Sequence, residues 1–186
     1  MSKNRPIVTI AERIPLLEEI LGQWKVKIGD DFLRYRNHVY CVFHFCFALH
    51  DCNNEEREKI IIAGCFHDLG IWTNDTFDYL APSIVLASAY LKQHNLAHWI
   101  PEITLMIDTH HKIRKHHDAR FPLVEVFRRG DWVDVSMGLL RYGLPKAYVQ
   151  SVKERFPDAG FHKWLVQLAG GWFSKHPFNP LPVLKW

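Results

Sequence analysis

Residues 60–70 read IIIAGCFHDLG, and the fold is decided by this stretch. Apolar and small residues run together up to Phe66, as in a helix buried on most sides. The run ends on the pair His67-Asp68. Burying an imidazole beside a carboxylate is costly unless something compensates both. A metal ion does so at once. Three other groups can complete such a site: His38 upstream, the pair His110-His111, and Asp131 downstream. Imidazoles and carboxylates in this number form a hard-to-borderline ligand set for a divalent metal.

Outward from this stretch the periodicity is helical almost throughout, with no alternating strand pattern. Asn53 followed by Glu56 is a capping-box signal for the central helix, and Gly70 is a stop residue after it. Upstream, Asp30 opens a run to about Cys52 that is apolar nearly all round and carries His38. Such a helix belongs at the centre of a bundle. A first amphipathic helix is expected over about residues 10–24. Downstream, Pro82 suits the first turn of a fourth helix, ending near Gln93 or His94. Pro101 begins a fifth, which carries His110 and His111 near its end. The basic segment 111–120 reads as a loop. Residues 121–137 are again apolar, interrupted by Asp131 and Asp134. Helices at about 145–155 and 159–174 follow, then an extended, proline-rich tail, HPFNPLPVLKW. The expected fold is all-α: one helical bundle over 1–186, with its core at about 30–140 and C-terminal helices and tail at 141–186.

Composition narrows the function classes. At 186 residues and 48% apolar, the chain can bury a real core and is not disordered. A net charge of +3 does not point to nucleic acid. The basic stretch Lys112–Arg120 is short and suits a phosphate-sized target better. Cys41, Cys46, Cys52 and Cys65 form no C-x-x-C pair and read as reduced core residues of a cytoplasmic protein. The start, MSKNRPIVTIAERIP, does not read as a signal peptide. No segment approaches the roughly 20 apolar residues of a membrane span. The apolar tail residues Leu181, Val183, Leu184 and Trp186 are expected to pack on the domain or on a partner. Composition defines no oligomeric state.

Each ligand candidate falls on a different expected helix, which is how a bundle brings side chains to one point. The order His38, His67-Asp68, Asp131 resembles the signature of the HD-domain superfamily, a group of all-α, metal-dependent proteins that are mostly phosphohydrolases. The resemblance covers roughly residues 30–140. It implies His38, His67, Asp68 and Asp131 as ligands of one divalent ion: manganese, cobalt, iron, nickel, zinc or magnesium. Asp134 competes with Asp131 for the last position and otherwise supports a ligand. Two-metal members carry a further histidine soon after the pair, and Leu69–Tyr90 contains none. That favours a single metal. Asp75 or Asp78 is the substitute within reach, and Asp78 is otherwise expected to cap a helix.

The implied reaction is hydrolysis of a phosphate ester of a small metabolite, such as a nucleotide, by a metal-activated water. Asp68, His110 and His111 are the catalytic candidates. One of the last two is expected to hold a phosphate oxygen or protonate the leaving group, or else both simply occupy a solvated helix end. Lys112 and Arg34 are candidate substrate contacts. Arg128 and Arg129 suit surface pairing, and Trp72 suits core packing. The alternatives are an iron-dependent oxygenase and a non-catalytic ligand-binding module of the same fold.

Overall fold

The computed structural model describes residues 9–185. Among them the helices are α1 Pro15–Ile28, α2 Phe32–Leu49, α3 Asn54–Phe66, α4 Gly70–Asn74, α5 Leu80–Gln93, α6 Ile100–Thr109, α7 Leu123–Val135, α8 Lys146–Arg155 and α9 Phe161–Lys175. Short 3-10 turns lead into α2 and α6. The β-type pairing among the described residues is one isolated bridge, Lys112 to Lys185. The chain is all-α. Among the described residues, no helix is long and apolar enough to cross a membrane.

Helix α1 starts five residues later than its apolar spacing suggests. Pro15 sets its first turn, where a missing N–H costs nothing. The Ile14 N–H is taken up by the Tyr40 hydroxyl at 3.0 Å. Gly29, at φ 65°, ends the helix in a conformation that favours glycine. The second run divides there: a 3-10 turn at Gly29–Asp31 precedes α2, which stops at Leu49, short of Cys52.

Helix α2 lies where its composition requires. Tyr35 and every residue from Asn37 to Phe47 are buried. Helix α7 makes the most extensive packing against it, and α3 and α6 complete a ring around a shared interior. Phe45, Ile62, Met106 and Phe127, one from each of these four helices, have no exposed surface. Burial of each such side chain contributes about 1.5–3 kcal/mol. Gly130 permits the close approach of α7 to α2. A Cβ there would lie 2.3 Å from Cys46 Sγ and 3.0 Å from the Val42 carbonyl oxygen.

The capping box of α3 is formed as expected: Asn53 Oδ1 accepts the Glu56 N–H at 2.9 Å, and the Glu56 carboxylate accepts the Asn53 N–H at 2.8 Å. Gly70 has a different role from the stop signal. It begins α4, a short helix not foreseen from the sequence. Its N–H donates to Ser83 Oγ at 2.9 Å, and a Cβ would sit 2.4 Å from the Tyr79 carbonyl oxygen. Glycine is needed here for contact, not for a left-handed turn.

The C-terminal tail returns to the bundle. The Ile113 N–H donates to the Lys185 carbonyl at 2.8 Å, and the Lys185 ammonium pairs with Asp108. Val183 is buried in a small apolar cluster with Ile71, Phe77, Tyr79 and Leu80. The tail therefore packs on its own domain. Trp186 and the start of the N-terminal stretch, Met1–Val8, lie outside the described residues. All four cysteines are buried and free.

Gly130→Ala should destabilise the fold by about 1–3 kcal/mol through overpacking at the α2–α7 contact. Denaturant titration checks this. Adding Cys46→Ala should recover part of the loss, because the sulfur is the nearest atom to the new methyl.

Candidate metal centre

Four helices deliver the expected ligands to one buried place. His38 lies in the middle of α2, His67 caps the C-terminus of α3 with Asp68 next to it, His110 caps the C-terminus of α6, and Asp131 is on α7. His67, His110 and Asp131 have no exposed surface, and Asp68 and His38 have almost none. Two helix C-termini thus point their partial negative charge at the site, which favours a cation.

Hydrogen bonds set the direction of the rings. His67 Nδ1 donates to the Gly64 carbonyl at 2.7 Å, and His110 Nδ1 donates to the Ile107 carbonyl at 2.7 Å. A carbonyl only accepts, so both nitrogens carry protons and both Nε2 atoms present lone pairs. His38 Nδ1 lies 2.7 Å from Asp134 Oδ2, which ties that nitrogen and turns Nε2 toward the centre. This carboxylate-supported imidazole is a common arrangement behind metal ligands. Asp134 thus backs the outer nitrogen of His38, and Asp131 faces the inner one at 3.5 Å.

The inward nitrogens then meet. His38 Nε2 and His67 Nε2 are 3.0 Å apart, within hydrogen-bond distance. His67 Nε2 is 3.2 Å from Asp68 Oδ2 and 3.7 Å from Asp131 Oδ1. His38 Nε2 is 3.7 Å and 3.5 Å from the same two oxygens. Ligands held about 2.0–2.2 Å from one ion stand roughly 2.9–3.6 Å from each other in octahedral or tetrahedral arrangements. The observed spacings are close to that range. Both Asp131 carboxylate oxygens, Asp68 Oδ1 and His110 Nε2 are buried with no hydrogen-bond partner. Unsatisfied acceptors in a dry interior are destabilising, and a cation satisfies them together. His38, His67 and Asp68 stand close enough together to hold a metal ion, and Asp131 faces His38 and His67 beside them.

Asp68 also faces a second group. Its Oδ1 lies 3.4 Å from His110 Nε2, and Asp68, His110 and His111 form a ligand cluster of their own. His111 Nδ1 is 3.5 Å from Asp131 Oδ2. Its Nε2 shares a 2.9 Å hydrogen bond with the Tyr79 hydroxyl. The solvated helix end does not describe His110, which is sealed inside. Tyr79 is the member the sequence did not reveal, since an aromatic residue before a helix carries no special signal.

Charge follows from these contacts. Burial alone would raise the Asp68 and Asp131 carboxyls, but the neighbouring imidazoles outweigh it and hold both low, Asp68 well below the usual range. Burial alone would lower His38, but Asp131 and Asp134 reverse the sign and lift it to about 10. His110 is also raised, against burial, by Asp68. His111 falls to about 3 through burial and the charge of His110. In the metal-free protein the His38 contribution to stability is full below pH 6.5 and fades as pH rises through about 10.

The remaining candidates stand around the centre. Arg34 pairs with Asp31 at 3.3 Å and borders a crevice behind His38 that has no room for a water molecule. Lys112 offers its carbonyl to Arg128 at 3.0 Å and to Trp132 at 3.3 Å. Arg128 and Arg129 both bind Glu125, whose carboxyl lies at about 2 because these hydrogen bonds outweigh burial. Trp72 stacks on Trp164 and donates to Asp31 at 2.9 Å. Asp75 and Asp78 are exposed and stand apart from both ligand groups. Asp78 does not cap α5, whose cap position is held by Tyr79 without a side-chain bond. A separate surface group, His50, Cys52 and Glu56, is within ligand spacing, but its Glu56 is committed to the α3 capping box.

Two outcomes follow. Metal uptake should release about one proton per ion near pH 8, because His38 must give up its Nε2 proton. Calorimetry in buffers of different ionisation enthalpy measures this. Asp134→Asn should weaken metal affinity about 10–100-fold by loosening His38, as read by equilibrium dialysis. No protein-family model, curated protein or solved structure matches this chain, so the centre is read from its own geometry.

Proposed function

We propose that the chain is a metal-dependent hydrolase that cleaves a phosphate ester of a small metabolite. The observation that carries this reading is the convergence of imidazole nitrogens and unpartnered carboxylate oxygens at one buried point. His38, His67, Asp68 and Asp131 would hold the ion, whose identity is set by availability among manganese, cobalt, iron, nickel, zinc and magnesium. When bound, a divalent ion acidifies a water and polarises a substrate oxygen.

The chain's own groups do the rest. Asp134 fixes the His38 ring, and the Gly64 and Ile107 carbonyls fix His67 and His110. His111 stands at the edge of the centre with the Tyr79 hydroxyl on its outer nitrogen. That pair is placed to hold a substrate oxygen or pass a proton to a leaving group. The dry walls strengthen each of these interactions. Four reduced, buried cysteines fit a cytoplasmic setting.

A second reading is favoured by the position of Asp68. Its two oxygens face two different imidazole groups, the arrangement of a carboxylate shared by two ions. Two irons there would open the oxygenase alternative. Elemental analysis and oxygen consumption separate the two readings: two irons per chain with substrate-dependent oxygen uptake would replace the hydrolase.

A phosphate-release screen against small phosphate esters, with each divalent metal added to stripped protein, tests the main reading. Asp68→Ala should lose bound metal and fall below about 1% of the parent rate. Replacing His110 and His111 together should lower turnover about 100-fold while one metal per chain remains.

A further inference from the structure

The six residues of the centre are unequally buried. The side chains of His38, His67, Asp68, His110 and Asp131 are at most 3% exposed, whereas that of His111 is 13% exposed. The crevice on the His38 side admits no water. On the opposite side His111 and Tyr79 face a groove of about 220 Å³. This groove gives a ligand a route to the His111 edge of the centre.

The groove has a definite chemistry. Phe77, Trp132, Val135, Leu165 and Ala169 form its sides, and Leu181, Val183 and Leu184 of the tail form another wall. Among the described residues, no lysine or arginine lines it. The tail is held in place by the Ile113–Lys185 backbone bond and the Lys185–Asp108 pair. The volume is below the roughly 300–1,000 Å³ of sites for drug-sized ligands. It exceeds the roughly 150 Å³ cavity that takes a benzene ring. A nucleotide, with its base, sugar and charge, does not match such a space.

We infer that the substrate of the centre carries a compact apolar group, up to about the size of a substituted phenyl ring, which seats in this groove. Its reactive end then meets His111 and Tyr79. The tail wall, Leu181 to Leu184, sets the size of group admitted. The inference rests on the reading of the buried cluster as a metal centre.

The experiment has two arms. In metal-free protein with labelled alanine and valine methyls, benzyl alcohol should shift the Ala169 and Val183 resonances and glycerol should not. No shift with benzyl alcohol overturns the groove. In manganese-loaded protein, benzohydroxamate should bind at least about tenfold more tightly than acetohydroxamate, since the two share a metal-binding head and differ in the apolar group. Ala169→Phe should erase that ratio with bound manganese unchanged. Leu181→Ala, at a half-exposed site that should tolerate trimming, should increase affinity for the bulkier naphthohydroxamate. Equal affinities of the two hydroxamates in the loaded parent, or variants that leave the ratios unmoved, overturn the inference. Failure to retain manganese, with benzyl alcohol still shifting both methyls, overturns the metal centre and leaves the groove as an apolar site.

Discussion

Ring nitrogens of three imidazoles and oxygens of two carboxylates converge in a buried interior. Such a convergence repels itself unless positive charge, as protons or as a cation, lies between the acceptors. The surrounding structure holds the groups in this arrangement. The ring nitrogens that face away are tied to Gly64, Ile107 and Asp134, so no ring can rotate to relieve the contact without losing a buried hydrogen bond. Helix α2, buried along most of its length, provides the rigid post on which His38 stands.

The scaffold and the centre constrain each other. Gly130 lets α7 close on α2, one residue before Asp131. Gly70 lets the chain after Asp68 pass under the Tyr79 carbonyl, and Tyr79 in turn reaches His111. A bulkier residue at either glycine would therefore disturb packing and the ligand set together. The cations around the centre are largely committed to carboxylates: Arg34 to Asp31, Arg128 and Arg129 to Glu125, and Lys153 to Asp134. Charge on a substrate would then be met at the centre itself, and the groove beside it is apolar.

Local signals are legible in the sequence wherever local physics governs. The Asn53–Glu56 capping box is an interaction across one turn, so its residues announce it. An all-apolar helix such as α2 has nowhere to go but the middle. Helix ends were read less well where a distant group decides them. The start of α1 depends on Pro15 and on a hydroxyl twenty-six residues away at Tyr40, and no periodicity reports that contact. Gly70 looked like a stop, but its need for glycine comes from a carbonyl on a different segment.

The order and type of the acidic and imidazole residues were settled by sequence alone, because burying His67 beside Asp68 at the end of an apolar run demands compensation. Sequence also separated a helical bundle from every strand-based fold. Tertiary structure decided the rest. Asp131 and Asp134 lie one turn apart on α7 and meet different nitrogens of His38. The absence of a histidine between Leu69 and Tyr90 favours a single metal and leaves open which groups face each oxygen of Asp68. In three dimensions α6 brings His110 and His111 to its other oxygen. Which atoms share a lone-pair direction is fixed by helix crossing and ring rotation, and neither is written in residue spacing.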